Sequence, residues 1–203
     1  LLTVIANATL DGKPLSQNYL DGSWLLIIFA GNDTTRNSLS GTIRLLTEFQ
    51  DQRKMVLDDP SLIDRMSHES LRMTSPVMHM RRTATEDTEI AGQRIAENEK
   101  VLMWYGAANR DPSVFTNPDV FDLTRSNVEK HVAFGHGVHR CLGNRIAQMQ
   151  LSMAYERILD RFPNIHWTGK QKIEPIILVH AISSLKVNLY GKNAKRPVQV
   201  AVK

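Results

Sequence analysis

The chain has 203 residues, 42% of them hydrophobic, with 25 Lys and Arg against 21 Asp and Glu for a formal charge of +4. That is enough apolar content for a real core, and the basic residues lie dispersed among acids rather than in a stripe, which argues against nucleic-acid binding. The longest uninterrupted apolar run, Trp24 to Ala30, is too short for a membrane span, and a single cysteine rules out an internal disulfide framework and suits the cytoplasm. The first residue is Leu1 rather than Met, so the chain reads as a piece of a longer product.

Residues 1–9 read as the end of a helix, and Asp11-Gly12-Lys13-Pro14 as a turn. Ser16 is a good N-cap, and helical spacing then runs through Tyr19, Leu20, Trp24, Leu25, Ile27, Ile28, Leu39, Ile43 and Leu46. The pattern predicts one long central helix over about residues 15–49, a buried spine. Its middle places Ala30 and Gly31 ahead of four polar residues, Asn32 to Thr35. The Thr34 hydroxyl is within reach of the Ala30 carbonyl four residues back, and with Gly31 beside it a local distortion is expected. The plainer alternative is that Asp33 or Thr34 caps a second helix starting there.

A short helix near 50–57 and a break at Asp58-Asp59-Pro60 precede a helix predicted from Ser61 to about Met73. Its apolar stripe runs Leu62, Met66, Glu69, Met73, so a carboxylate occupies a core-facing slot, with Arg72 three residues on as its partner. A buried pair of this kind needs further donors to complete it. Strands are expected at 78–85, 89–90, 94–95 and 101–105, then a turn-rich stretch from Ala107 to Asn127. A helix follows from Asn144 to about Phe162, and the end of the chain reads as short strands at 165–167, 176–179 and 185–190. The class is mainly α with a smaller β component.

Between Phe134 and Gly143 stands the lone cysteine, Cys141, with Gly135, Gly137 and Gly143 around it and helical periodicity directly after. An isolated cysteine is often a small buried hydrophobe. Glycine costs about 0.5 to 1 kcal/mol relative to alanine in an ordered segment, so three of them indicate that something approaches this backbone closely. A thiolate just ahead of a helix is also stabilised by the helix N-terminus. Zinc held by His136, His139 and Cys141 is one candidate, although no second ligand pair presents itself. Haem iron, which needs one axial thiolate, is the other.

In this order and spacing the elements resemble the C-terminal half of a cytochrome P450. The resemblance runs from about Leu15 to Tyr190 and rests on four motifs: the 134–143 loop, Ala30 to Thr35, the Glu69-x-x-Arg72 pair, and Arg82-Thr83-Ala84 after Pro76. It implies the cytochrome P450 fold, with 1–203 a partial domain lacking its N-terminal half, and with residues 134–162 forming the cysteine-ligand loop and its helix. It further implies haem b (iron-protoporphyrin IX), with Cys141 the metal ligand that favours O–O cleavage. Phe134, Gly135 and Gly143 would shape the loop, and His139 and Arg82 would pair with haem propionates. Ala30 and Gly31 would border the oxygen pocket, and Asp33 and Thr34 would relay protons.

Substrate-contacting segments fall at Val77, Met78, His79 and Met80 and at His180, Ala181 and Ile182. Plainer roles stand beside these: His139 as a loop donor, and Met78 with Met80 as strand packing. The family's usual arginine after proline-acid is replaced by Val120 in Pro118-Asp119-Val120-Phe121, so Arg110 or Arg125 is expected to take its place beside Glu69 and Arg72.

The function implied is a cytoplasmic monooxygenase that inserts one atom of O2 into a C–H bond of an apolar small molecule. The segments 79–84, 103–105 and 143–145 are similar to soluble bacterial enzymes hydroxylating terminal carbons of alkanes and related chains, with terpenes or sterols as alternative substrates. Electrons would come from NAD(P)H through a ferredoxin reductase and an acidic ferredoxin docking on Lys130, Arg140 and Arg145. A non-catalytic haem-thiolate sensor and a zinc-stabilised interaction domain are the competing classes.

Overall fold

A computed structural model describes residues 2–191 of the chain. The first helix, α1 (Leu2–Ala6), leads into a two-residue hairpin, β1 (Thr9–Leu10) with β2 (Lys13–Pro14). Asp11 and Gly12 at its tip both have positive φ, as the expected turn requires. Ser16 caps α2 (Gln17–Glu48) by accepting from the Tyr19 N–H at 3.3 Å.

Helix α2 runs unbroken for 32 residues. The Thr34 hydroxyl does donate to the Ala30 carbonyl at 2.8 Å, as expected, yet the helix neither breaks nor restarts at Asp33. The same back-bonding recurs at Ser38, which donates to Thr34 O, and at Thr42, which donates to Ser38 O. A repeated hydroxyl-to-carbonyl bond is absorbed by a long packed helix without interrupting it.

Helix α3 (Gln50–Asp58) and a 3₁₀ turn at Pro60–Leu62 bring the chain to α4 (Ile63–Thr74). Next come β3 (His79–Thr83), β4 (Thr88–Ile90), β5 (Gln93–Ile95) and β6 (Lys100–Trp104). Strand β3 pairs antiparallel with β6 and β4 with β5. A single helical turn, α5 (Tyr105–Ala108), opens the irregular stretch that leads to the cysteine loop, and α6 (Asn144–Arg161) follows that loop. A last antiparallel pair, β7 (His166–Glu174) with β8 (Ala181–Asn188), closes the described chain.

The end of the chain departs from expectation. The apolar run 176–179 is not a strand of the hairpin and contributes only an isolated bridge, Val179 to Val77. Strand β7 instead continues through polar residues to Glu174, with Gly169 at φ 84 accommodated by a register shift between Trp167 and Gln171. A bulge of that kind makes a turn-like sequence part of a strand.

The core lies where α2, α4 and α6 meet, built from Leu45, Leu46, Met66, Leu71, Leu151, Tyr155 and Leu159 with Phe121 and Leu123 from the irregular stretch. Buried within it is Glu69, with Arg72 donating to both its oxygens at 2.8 Å. Arg125 completes the cluster, its Nε reaching Glu69 Oε1 at 3.3 Å. Arg110 does not join; it donates to Met73 O at 2.9 Å and to the exposed Asp119 at 3.2 Å. Two guanidiniums against one carboxylate leave excess positive charge, which backbone carbonyls meet. Arg72 donates to the carbonyls of Asn109, Pro118 and Val120, and Arg125 to those of Thr116, Asn117 and Val120. Val120 thus contributes through its carbonyl where a side chain was expected.

Removing one member of a buried charged network leaves the others short of a partner. Arg125→Met should therefore lower stability by about 3 kcal/mol, and Arg110→Met by about 1 kcal/mol or less. Urea unfolding of the two variants measures the difference, and equal losses would contradict the assignment of Arg125.

Candidate active site

The irregular stretch after α5 converts the buried cluster into a platform for the cysteine loop. Asn109, fully buried, accepts from Arg72 through its backbone carbonyl and donates from Nδ2 to Ser75 Oγ at 2.8 Å. Its Oδ1 accepts from the Val132 N–H at 2.7 Å, so one asparagine joins the end of α4 to the start of the loop. Neither Asn109 nor the histidines described next stood out in the sequence. Asparagine in a turn-rich stretch looks like a turn former, and its loop-bracing role exists only once α4 is placed beside it.

His131 is the second brace. Its Nδ1 accepts from the Ala133 N–H at 3.2 Å, so in the neutral ring Nε2 holds the proton and donates to His68 Nδ1, also at 3.2 Å. His68 Nε2 in turn faces the Gln148 amide of α6 at 3.3 Å. The His131 ring also packs at 5.8 Å, tilted, against Phe134. Burial, first, and then the charges of His68, Arg140 and Arg72 push the His131 pKa down to about 4.

Within the loop, the Cys141 N–H donates to the Phe134 carbonyl at 2.8 Å, closing a tight ring that brings the two ends together. Gly135 and Gly137 both sit at φ 70, in the left-handed region where side chains are strained, and a Cβ on Gly135 would meet the Tyr105 hydroxyl at 3.4 Å. Cys141 is exposed, and its carbonyl accepts from the Asn144 side chain at 2.6 Å. Gly143 occupies the N-cap position of α6. Phe134 is half-buried against the core, with Val138 and Leu142 beside the cysteine 96% and 81% exposed. The glycines thus hold the sulfur outward while the loop's apolar side chains also face out.

The other expected site residues fall on three elements. Ala30 and Gly31 are exposed on α2, and Asp33 lies 3.5 Å from Arg36 in an exposed pair. Arg82 on β3 and His139 in the loop are both exposed and have no carboxylate partner among the described residues. The two expected substrate segments are brought together: Met78 N–H donates to Leu178 O at 3.0 Å and His180 N–H to Pro76 O at 2.8 Å. The Ile182 N–H donates to Asn37 Oδ1 at 2.7 Å, which ties the second segment to α2 one turn past Thr34. No group of three or more His, Cys, Asp or Glu side chains is arranged around a common point among the described residues, so His136, His139 and Cys141 do not form a zinc cage.

A family model described as Cytochrome P450 matches residues 1–180. The chain belongs to the cytochrome P450 family. It is 41% identical over 192 residues to linalool 8-monooxygenase of Pseudomonas putida, covering 95% of this chain and 47% of that protein. A steroid C26-monooxygenase of Mycobacterium tuberculosis is 38% identical over 186 residues, covering 92% of this chain and 50% of the relative. Among solved structures, cytochrome P450-153 from Novosphingobium aromaticivorans superposes with a TM-score of 0.80 at 42% identity, covering 85% of this chain and 44% of that one. The chain thus spans about half the length of the P450 proteins it matches, and it has their fold, helical with a smaller sheet component.

Membership implies a haem, and the residues fit one. An outward-facing lone cysteine in a glycine-opened loop, exposed apolar neighbours, and the donor side chains of Arg82 and His139 without a carboxylate partner are the set an apolar macrocycle with carboxylate substituents calls for.

His131 supplies a pH test with a definite sign. Its native pKa of about 4 lies below the 6.5 of the free side chain, so as pH falls from 6.5 toward 4 the unfolded chain takes up a proton that the native chain refuses. Stability should decline across that window in denaturant titrations, and His131→Gln should flatten the decline. An unchanged slope in the variant would contradict the buried, neutral assignment.

Proposed function

We propose that the protein is a haem-thiolate monooxygenase that inserts one oxygen atom of O2 into a C–H bond of an apolar aliphatic substrate. The observation that carries this is the conjunction of the outward Cys141 loop with the Asp33-Thr34 tract on α2. A sensor would need the first and not the second. Cys141, Phe134, Arg82 and His139 would hold haem b, the last two toward its propionates, and the group would supply the reductive activation of dioxygen. The protein's own work is to hold, orient and protonate. Thr34 keeps its hydroxyl tied to Ala30 O at 2.8 Å, so its oxygen remains free to accept a further hydrogen bond, and solvent-accessible Asp33 is the neighbouring acid able to resupply protons.

Substrate would lie against Val77, Met78, Ala181 and Ile182, an apolar lining with His79, Met80 and His180 at its margins. Terminal hydroxylation of an alkane or related chain is our reading, resting on the residue patterns at 79–84, 103–105 and 143–145 and on the apolar lining. A terpene substrate is the second reading, favoured by the linalool-oxidising relative. Lys130, Arg140 and Arg145, all exposed, form the basic surface for an acidic ferredoxin fed by its reductase from NAD(P)H. The single cysteine suits a cytoplasmic setting. No helix among the described residues is long and apolar enough to cross a membrane.

Thr34→Ala in the complete haem-loaded protein should keep oxygen consumption while lowering product per O2 by about tenfold, the usual scale of a lost proton-transfer group being 10²–10⁴-fold when nothing replaces it. Oxygen uptake and product are measured in the same vessel, and unchanged coupling would count against the relay. Arg140→Glu with Arg145→Glu should slow ferredoxin-driven reduction by at least about tenfold at low salt, with the gap closing as salt screens the surface.

A further inference from the structure

Asn37 lies three residues beyond Thr34 on α2 and is 3% exposed. Its Oδ1 is satisfied by the Ile182 N–H at 2.7 Å, but its Nδ2 is buried and meets no protein acceptor. Arg44, two turns further along, has a buried Nε in the same condition; the nearest carboxylate, Glu48, stands at 3.8 Å, beyond hydrogen-bond range. Both side chains line a small cavity whose other walls are Gly41, Thr74, Pro76, His180 and Ile182. The cavity measures about 10 Å³, the space of one water.

A buried donor without an acceptor costs about 1 to 3 kcal/mol. Two of them facing one cavity therefore specify a guest that accepts twice. Of the other polar walls, Thr74 spends its hydroxyl proton on Ser70 O at 2.7 Å, and His180 has its pKa lowered by burial and then by the charge of Arg44. A neutral imidazole always offers one acceptor nitrogen. Two donors and one acceptor match a water, which accepts two hydrogen bonds and donates to the third partner. A halide accepts twice but has nothing to donate to the ring.

We propose that Asn37 is a positioning residue for substrate, fixing the 180–182 segment to α2 directly through Ile182 and, through one internal water shared with Arg44, to His180. The proposal rests on the monooxygenase reading, since it sets the lining of the pocket relative to Thr34 on the same helix. The segment is otherwise held by backbone bonds, His180 N–H to Pro76 O, the Val77–Val179 bridge and the pairing of Ala181 and Ile182 with β7. None of these ties it to α2, so losing the Asn37 contacts loosens its placement relative to Thr34.

The test uses the complete haem-loaded chain with Asn37→Ala and Asn37→Asp, the latter keeping an oxygen for Ile182 N–H and a charge for Arg44. Asn37→Ala should raise amide exchange of Ile182 about tenfold and change the ratio of hydroxylated products from n-octane or linalool by a similar factor, one buried hydrogen bond being worth about that much. Asn37→Asp should restore both, and a high-resolution crystal structure of the parent should show a single water within hydrogen-bond distance of Asn37 Nδ2 and Arg44 Nε. Unchanged exchange in Asn37→Ala overturns the clamp, and a bromide soak giving an anomalous peak in the cavity overturns the water. The reduced, carbon monoxide-treated spectrum separates the two levels of inference: an intact thiolate signature with unmoved exchange sinks this proposal alone, whereas its absence in the parent sinks the monooxygenase reading.

Discussion

Everything in this half of the fold depends on one carboxylate buried among two guanidiniums. Glu69 is fully enclosed, and its charge is matched at both oxygens by Arg72 and at one by Arg125, with the Asp122 N–H adding a fourth donor at 3.0 Å. A bare buried carboxylate would be prohibitively unstable, so the cluster forms only when the irregular stretch after α5 has delivered its carbonyls to the surplus positive charge. That requirement turns a segment with almost no regular structure into a defined object. Asn109 and His131 then carry the same order on to the loop that presents Cys141.

The chain of constraint has a chemical purpose. A thiolate ligand must be accessible on one side and rigid on the other, and a loop with two residues in the left-handed region is poorly suited to rigidity on its own. Hydrogen bonds from the Val132 N–H to Asn109, from the Ala133 N–H to His131, and within the loop from Cys141 N–H to Phe134 O supply it. Helix α2 carries both the Ala30 to Thr35 tract and, one turn past Thr34, Asn37, so the residues proposed to handle protons and those proposed to place substrate share one helix.

Much of this was legible in the residues themselves. The long helix announced itself through Ser16 and apolar spacing on either side of its polar middle, and the Glu69–Arg72 pair through a carboxylate set in an apolar stripe. The expected buried spine holds only toward the C-terminal end of α2, at Leu45 and Leu46, whereas Leu25, Leu26, Ile28 and Phe29 are exposed. The cysteine loop was marked by three glycines around a lone thiol. What was not legible depends on segments distant in sequence. Nothing local distinguishes Arg125 from Arg110, because the choice is made by where packing places each guanidinium, Arg125 beside Glu69 and Arg110 beside Met73 O and Asp119. Asn109, His68 and Asn37 read as unremarkable polar residues until packing buries them. At the terminal hairpin the expected strands at 165–167 and 185–190 overlap β7 and β8, but the apolar run after Pro175 only looks like a strand, while the polar stretch up to Glu174 pairs across a bulge.

The central claim is that Cys141, presented by this buried framework, is the axial thiolate of a haem. The reduced, carbon monoxide-treated visible spectrum of the complete chain, parent beside Cys141→Ser, tests it most directly. The parent should show the strongly red-shifted Soret band of a thiolate-ligated haem, and the variant should lose it. A parent that binds haem without that band, or a variant that keeps it, would contradict the assignment.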